Sequence, residues 1–462
     1  MTIDEAKAEI ARTSAKAVVQ AAIDRAKADD YNAVLEVIEA RAIERAEKID
    51  ELRQRGENPG KLAGVPFLAK DNILTYDSRT TASAHMLENF RAPYQATVIE
   101  RLEAEGAICI GKTNLDAFAH GGSTENSYFG PTKNIADAER VAGGSSGGSA
   151  VAVAAGIVPF ALGSDTGGSI RQPASYNGVY GFKPTYGSVS RYGVVAMASS
   201  TDVVGPITTN AQDAELVFEC MRGVDPHDST TVDVVADTDS SSTHLTIGVI
   251  QQAMGEGVDP EVLQATNEVI QHAKSRGNTI KFIDMPSLEY ALAVYYIVVP
   301  AELTSNLARY DGIKYGEAKL GGDIGGVYRS SRTAGFMEEN KRRILIGNYV
   351  LSSGYYDAYY KKAQTVRTKI INEFLKAFSE CDLLVGPTAP TPAFRLGDNT
   401  SDPLQMYLAD IMTVPASLAG IPALSIPAGK TSAGLPIGVQ IMAPMKEDYK
   451  LLRLAREFGE SA

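Results

Sequence analysis

Residues 143–171 of this 462-residue chain read GGSSGGSAVAVAAGIVPFALGSDTGGSIR, two glycine–serine clusters held apart by a small apolar stretch. Ser146 to Ala155 has the composition of a helix, with Gly156 as its natural stop. Ile157 to Leu162 reads as a strand. A helix of about ten residues carries the chain roughly 15 Å out, and a strand of about six residues brings it roughly 20 Å back. Ser145 and Ser169 are therefore expected at one end of a sheet, although 24 positions separate them. Glycines on both sides let the backbone approach a ligand and adopt positive φ. The amides of Thr166, Gly167, Gly168 and Ser169 can then point into one small space, as an oxyanion hole requires. Either cluster alone is what a helix packing on a sheet needs; both at this spacing point to a site.

A serine nucleophile needs a base. The chain has five histidines, His85, His120, His227, His244 and His272, and none of the downstream three has a distinctive setting. Gly143-x-Ser145-x-Gly147 also fits the nucleophile elbow of the α/β-hydrolases, a short and permissive pattern that requires a downstream histidine. The other candidate base is Lys70, at the end of the strand-like Gly64-Val65-Pro66-Phe67-Leu68-Ala69. Desolvation there would lower its pKa towards neutrality. Spacing alone leaves both the base and the nucleophile, Ser145 or Ser169, undecided.

The rest of the chain predicts an α/β protein with much of its sheet buried. Thr2-x-x-Glu5 is a capping box at the head of an alanine-rich run to about Lys27. A turn at Asp29 to Asn32 leads to a helix near 37–54, where Ala42, Ala46, Ile49 and Leu52 recur at helical spacing. From Leu62 onward strands and helices alternate: a helix near 96–105 stopped by Gly106, then a strand at Ala107 to Ile110. The polar run 237–243 reads as a surface loop. A net charge of −12 makes the bare chain a poor nucleic-acid binder. Cys109, Cys220 and Cys381 are scattered and odd in number, which predicts reduced thiols in a cytoplasmic protein. The first residues lack the basic and apolar regions of a signal peptide. Val151 to Leu162, taken as the longest nearly apolar stretch, is too short to span a bilayer, so no membrane association is expected.

Lys70-Asp71-Asn72, the two glycine–serine clusters with Ile170-Arg171, and Gly181-Phe182-Lys183-Pro184-Thr185-Tyr186-Gly187 together resemble the amidase signature family. The resemblance runs from about residue 5 to 458 and implies that family's fold, a large mixed sheet covered by helices on both faces. It implies one domain over 1–462, with an N-terminal helical segment, 1–55, on an α/β core, 56–462. It also assigns roles: Lys70 as neutral base, Ser145, held through a cis peptide, as proton relay, Ser169 as nucleophile, and the backbone of Thr166, Gly167 and Gly168 as oxyanion hole. No metal or organic cofactor is implied for this chain. Lys341 to Gly347, Leu351 to Gln364 and Gly386 to Thr391 are similar to the glutaminase subunits of tRNA-dependent amidotransferases. That similarity implies glutamine as substrate, Arg343 against its α-carboxylate, Asp410 against its α-ammonium, and Tyr295 lining the pocket. It implies partner subunits B and C in a heterotrimer, with ATP and Mg used by a partner. Misacylated tRNA would be the acceptor, Glu-tRNA(Gln) and in some complexes Asp-tRNA(Asn). The Tyr-rich run 355–360 reads as packing and partner contact. His120 stands where the family pattern leads one to expect methionine, and Ile135 where it leads one to expect proline.

Overall fold

The structure is a computed structural model that describes residues 1–235, 244–399 and 403–459; the polar run 237–243 lies outside the described residues. Eleven strands build one mixed sheet: β1 (Val34–Val37), β2 (Pro66–Lys70), β3 (Ile108–Thr113), β4 (Phe160–Asp165), β5 (Tyr180–Lys183), β6 (Val203–Thr208), β7 (Thr246–Ile250), β8 (Thr279–Ile283), β9 (Leu383–Pro387), β10 (Ala423–Lys430) and β11 (Pro436–Met442). Their spatial order is β1-β3-β2-β4-β6-β5-β10-β11-β9-β7-β8. β2 runs parallel to both β3 and β4, and β7 runs parallel to β8 and β9. The remaining pairs are antiparallel.

β2, β3, β4, β5, β6, β9 and β11 are buried at every residue, which requires cover on both faces of the sheet. Two large hydrophobic cores provide it. Along β9, Leu383 and Val385 enter one core and Leu384 the other; along β11, Ile441 and Met442 divide in the same way. Successive side chains of a strand point to opposite faces, so in this half of the molecule the two cores lie on opposite sides of the sheet. The first core also holds the N-terminal helices and the inner part of β2, β3 and β4. The second holds Tyr295, Val298 and Ile344.

The capping box forms, with Thr2 accepting from the Glu5 amide and Glu5 accepting from the Thr2 amide. The run it opens is two helices, Ile3–Arg12 and Ala15–Lys27, because Ser14 supplies a second N-cap to the Ala17 amide. The N-terminal segment is not wholly helical either: β1 pairs with β3 at the sheet edge, and Glu39–Gln54 follows it. Four half-buried residues are too few to show alternation. β4 begins three residues later than expected, since Ile157 to Pro159 bend before Phe160. The helical stretch Pro286–Arg309, 24 residues long and half buried, is a longer apolar segment than Val151 to Leu162. Glu289 and Glu302 interrupt it in the sequence, so a simple run-length reading stops short of its full extent.

Candidate active site

Lys70 is the last residue of β2, and β4 lies beside it in parallel, pairing Ala69 with Leu162. That register sets the lysine ammonium beside Ser164, two residues further along β4. Its Nζ lies 2.8 Å from Ser145 Oγ, 2.8 Å from Ser146 Oγ and 3.0 Å from Ser164 Oγ. The side chain is fully buried. Desolvation pulls its pKa from an ordinary 10.5 down to about 7, against the opposing charges of Asp116, Asp165 and Asp202. Lys70 is thus poised to exchange a proton with Ser145 near neutral pH.

The two glycine–serine clusters meet as their spacing predicts: the Ser146 amide donates to the Ser169 carbonyl at 3.1 Å. The Gly144–Ser145 peptide is cis. Gln172 holds it from one side, accepting from the Gly144 amide at 2.9 Å and donating to the Gly122 carbonyl at 2.8 Å. On the other side Thr124 Oγ1 donates to the Gly143 carbonyl, and a Cβ on Gly144 would overlap the Asp116 carboxylate. Asp116 itself accepts from the Thr124 and Asn126 amides, and burial pushes its pKa up to about 7.

After β4 the chain turns through Thr166 to Ser169. None of these four amides donates to a protein acceptor among the described residues. The loop is held by its other atoms. Thr166 Oγ1 donates to Asp202 at 2.6 Å, and Thr413 Oγ1 donates to the Gly167 carbonyl at 2.7 Å. Gly168 has φ +145°, and a Cβ there would overlap Thr413 Oγ1. Beneath the loop, Arg171 forms a fully buried two-point ion pair with Asp165, 3.0 and 3.1 Å, and also donates to Ser417 and Gln440. Desolvation works to raise the Asp165 pKa, but the charge and hydrogen bonds of Arg171, the Lys183 charge and the Ile170 amide together outweigh it and leave the carboxyl below its usual range.

Tyr295 rises from the helix Ala291–Asn306 and closes the loop from above: a Cβ on Gly167 would stand 2.7 Å from the Tyr295 hydroxyl. The neighbouring helix Glu338–Leu351 approaches closely because Gly347 has no Cβ to meet the Pro300 carbonyl. On its buried side is Arg343, only 3% exposed, which is not the solvated helix charge that a Lys-Arg-Arg run usually gives. Its Nε donates to Glu339 at 2.8 Å, and its guanidinium lies over the rings of Tyr296 and Tyr407 at 5.1 and 5.5 Å. Its Nη1 donates to no described residue. Asp410 is buried, faces Gly122, and its Oδ1 has no partner among the described residues. Desolvation pushes its pKa up to about 8, with the Arg343 charge opposing.

The residues given roles by the resemblance therefore lie together: Lys70 bonds Ser145, the two serine clusters meet, Tyr295 covers Gly167, and the Arg343 charge reaches both Tyr295 and Asp410. Of the histidines considered as base, His85 and His227 instead face Glu88 and Asp225. The sequence does not reveal the roles of the supporting set. Ser146, Ser164, Asp165, Arg171 and Gln172 lie within or next to the quoted motif, but their roles depend on register. Asp116, Asp202, Thr413 and Ser417 carry no local signal.

The amidase family profile matches residues 17–452. This chain belongs to the amidase signature family. Among its amidase relatives is a protein named as the A subunit of glutamyl-tRNA(Gln) amidotransferase from Caldanaerobacter subterraneus subsp. tengcongensis, 50% identical over 97% of this chain and 93% of the relative. The protein of that name from Koribacter versatilis is 47% identical over 98% and 97%. A solved structure under the same name, from Thermotoga maritima, superposes with a TM-score of 0.76 at 43% identity, covering 88% of this chain and 85% of that one. The peptide amidase of Stenotrophomonas maltophilia superposes with a TM-score of 0.81 at 26% identity, covering 100% and 96%. The mixed eleven-strand sheet is thus the amidase signature fold.

Proposed function

We propose that this chain is the glutaminase subunit of a glutamyl-tRNA(Gln) amidotransferase, and that Lys70, Ser145 and Ser169 perform its chemistry. The observation that carries the chemistry is a fully buried lysine, with its pKa brought to about 7, 2.8 Å from a serine hydroxyl. The amidotransferase assignment is supported by 50% identity, over nearly the whole chain, to a protein of that name.

Glutamine enters with its α-carboxylate on the free edge of Arg343 and its α-ammonium on Asp410. A zwitterion calls for one fixed cation and one fixed anion, and a guanidinium offers a carboxylate two parallel bonds. Tyr295 walls the pocket over Gly167. Neutral Lys70 takes the Ser145 proton as Ser145 takes that of Ser169, and Ser169 Oγ attacks the side-chain carbonyl carbon. The amides of Thr166, Gly167, Gly168 and Ser169 receive the oxyanion. Collapse breaks the C–N bond, and the proton returns from Lys70 through Ser145 to the departing ammonia. Water then releases glutamate from the Ser169 ester by the same relay.

In this reading subunits B and C complete a cytoplasmic heterotrimer, and the fold is a single amidase domain. The released ammonia converts Glu-tRNA(Gln) to Gln-tRNA(Gln), and in some settings Asp-tRNA(Asn) to Asn-tRNA(Asn). ATP and Mg are used at the partner that activates the acyl group. The test is ammonia release from glutamine by the chain co-purified with B and C, with and without ATP and Glu-tRNA(Gln). Stimulation with Gln-tRNA(Gln) formed supports the reading. Turnover of unrelated amides by the chain alone, without stimulation, replaces it with a free-standing amidase. Ser169→Ala abolishes acyl-enzyme formation; an acyl group trapped on Ser145 would reverse the serine roles.

A further inference from the structure

His120 is fully buried, and its two ring nitrogens have different surroundings. Nδ1 lies 2.8 Å from Asn340 Nδ2. The orientation of that amide is fixed by two further bonds: Nδ2 donates to the Ala117 carbonyl at 2.8 Å, and Oδ1 accepts from the Met337 amide at 3.1 Å. Asn340 therefore presents a hydrogen to the ring, Nδ1 must accept it, and the proton of the neutral imidazole sits on Nε2. Nε2 has no partner among the described residues. A buried N–H without an acceptor is destabilising, so this one calls for an explanation.

Its position supplies one. Asn340 is one helical turn before Arg343, and both are on the buried side of Glu338–Leu351. His120 leads directly into Gly121-Gly122, and Gly122 faces the Asp410 carboxylate. The ring is thus bonded to the residue one turn before Arg343, whose charge acts on it, and lies two residues from the glycine that faces Asp410; its free N–H is on the ring edge away from Asn340. We propose that His120 is a substrate-positioning residue whose Nε2–H donates to the α-carboxylate of glutamine alongside Arg343. This rests on glutamine being the substrate. Burial and the nearby Arg343 charge both disfavour imidazolium, so the donor is neutral and adds no charge for the carboxylate to balance.

The test compares glutamine with 4-aminobutanamide, the same carboxamide without the α-carboxylate, in the assembled complex. His120→Met removes the donor and leaves an apolar side chain of similar size. It should raise KM for glutamine about 10-fold, the loss of one hydrogen bond to a charged acceptor, with kcat little changed. Its kcat/KM for 4-aminobutanamide should equal that of the wild type, and His120→Gln, which retains an N–H, should recover most of the glutamine KM. An unchanged glutamine KM in His120→Met, or equal losses on both substrates, overturns the assignment. A spectroscopic readout leaves the residue in place. In the complex with ¹⁵N-histidine and Ser169→Ala in this chain, glutamine should move one buried Nε2–H resonance downfield and 4-aminobutanamide should not; a resonance indifferent to glutamine also overturns it. A wild-type complex that does not hydrolyse glutamine would instead refute the functional reading itself.

Discussion

With the proposed roles, the pH dependence of turnover should separate Lys70 as base from Asp410 as substrate clamp, because the two groups titrate at different places. Lys70 must be neutral to act, and burial brings it to about 7. Asp410 must be charged to hold an α-ammonium, and burial raises it to about 8. kcat/KM reports both in the free enzyme. For glutaramate, which lacks the α-ammonium, only Lys70 limits. Its neutral fraction climbs from roughly one-tenth at pH 6 to nine-tenths at pH 8, a rise of about 10-fold. For glutamine the Asp410 fraction multiplies this, climbing from about one-hundredth to one-half over the same interval, so kcat/KM should rise about 500-fold. The signs follow from the groups: both must lose a proton, so both limbs rise with pH, and the glutamine profile approaches a slope of two below about pH 7. The assay is initial-rate ammonia release at substrate well below KM, from about pH 5.5 to 8.5, with stability checked at each pH. Parallel profiles for the two amides would refute the Asp410 role. A glutaramate profile still climbing tenfold per unit above about pH 8 would show that Lys70 keeps an ordinary lysine pKa, and the base would have to be sought elsewhere.

The supporting residues yield further expectations. Asp116 raises the Lys70 pKa by its charge, so Asp116→Asn should move the glutaramate limb to lower pH, read from the same profile. Lys70→Arg should be inactive in ammonia release while folded by circular dichroism, because guanidinium does not deprotonate at working pH. Arg171→Met leaves Asp165 buried and unpaired, and should cost about 3–5 kcal/mol in urea unfolding. Gly168→Ala should lower kcat by about 100-fold or more, since the loop must shift to clear Thr413 and its amides lose their aim; retained kcat would show that the loop has slack.

What the sequence made legible was chiefly local. Glycines around Ser145 and Ser169, the stop at Gly156 and the Thr2 capping box each act within a few residues, so their consequences can be read from order alone. The convergence of the two serine clusters followed from element lengths. What escaped depends on register and burial. Ser164 reaches Lys70 because β2 and β4 pair in parallel at one particular offset. Arg343 looks like a surface charge until Gly347 lets its helix press against Pro300. Asp116 and Asp202 are isolated carboxylates in the sequence, and only the fold brings them to the loops they hold. β1 is too short for periodicity to reveal.

The two hydrophobic cores bear on how such a scaffold can diversify. The strands that deliver Lys70 and the second serine cluster are anchored in one core, while Tyr295 and the helix carrying Arg343 are anchored in the other. Substitutions that reshape the pocket can therefore be absorbed by repacking one side, leaving Lys70 and the serine clusters undisturbed on the other. A lineage built this way can trade one amide for another without reinventing its chemistry. The recurrence of this fold in a peptide amidase at 26% identity accords with that division of labour.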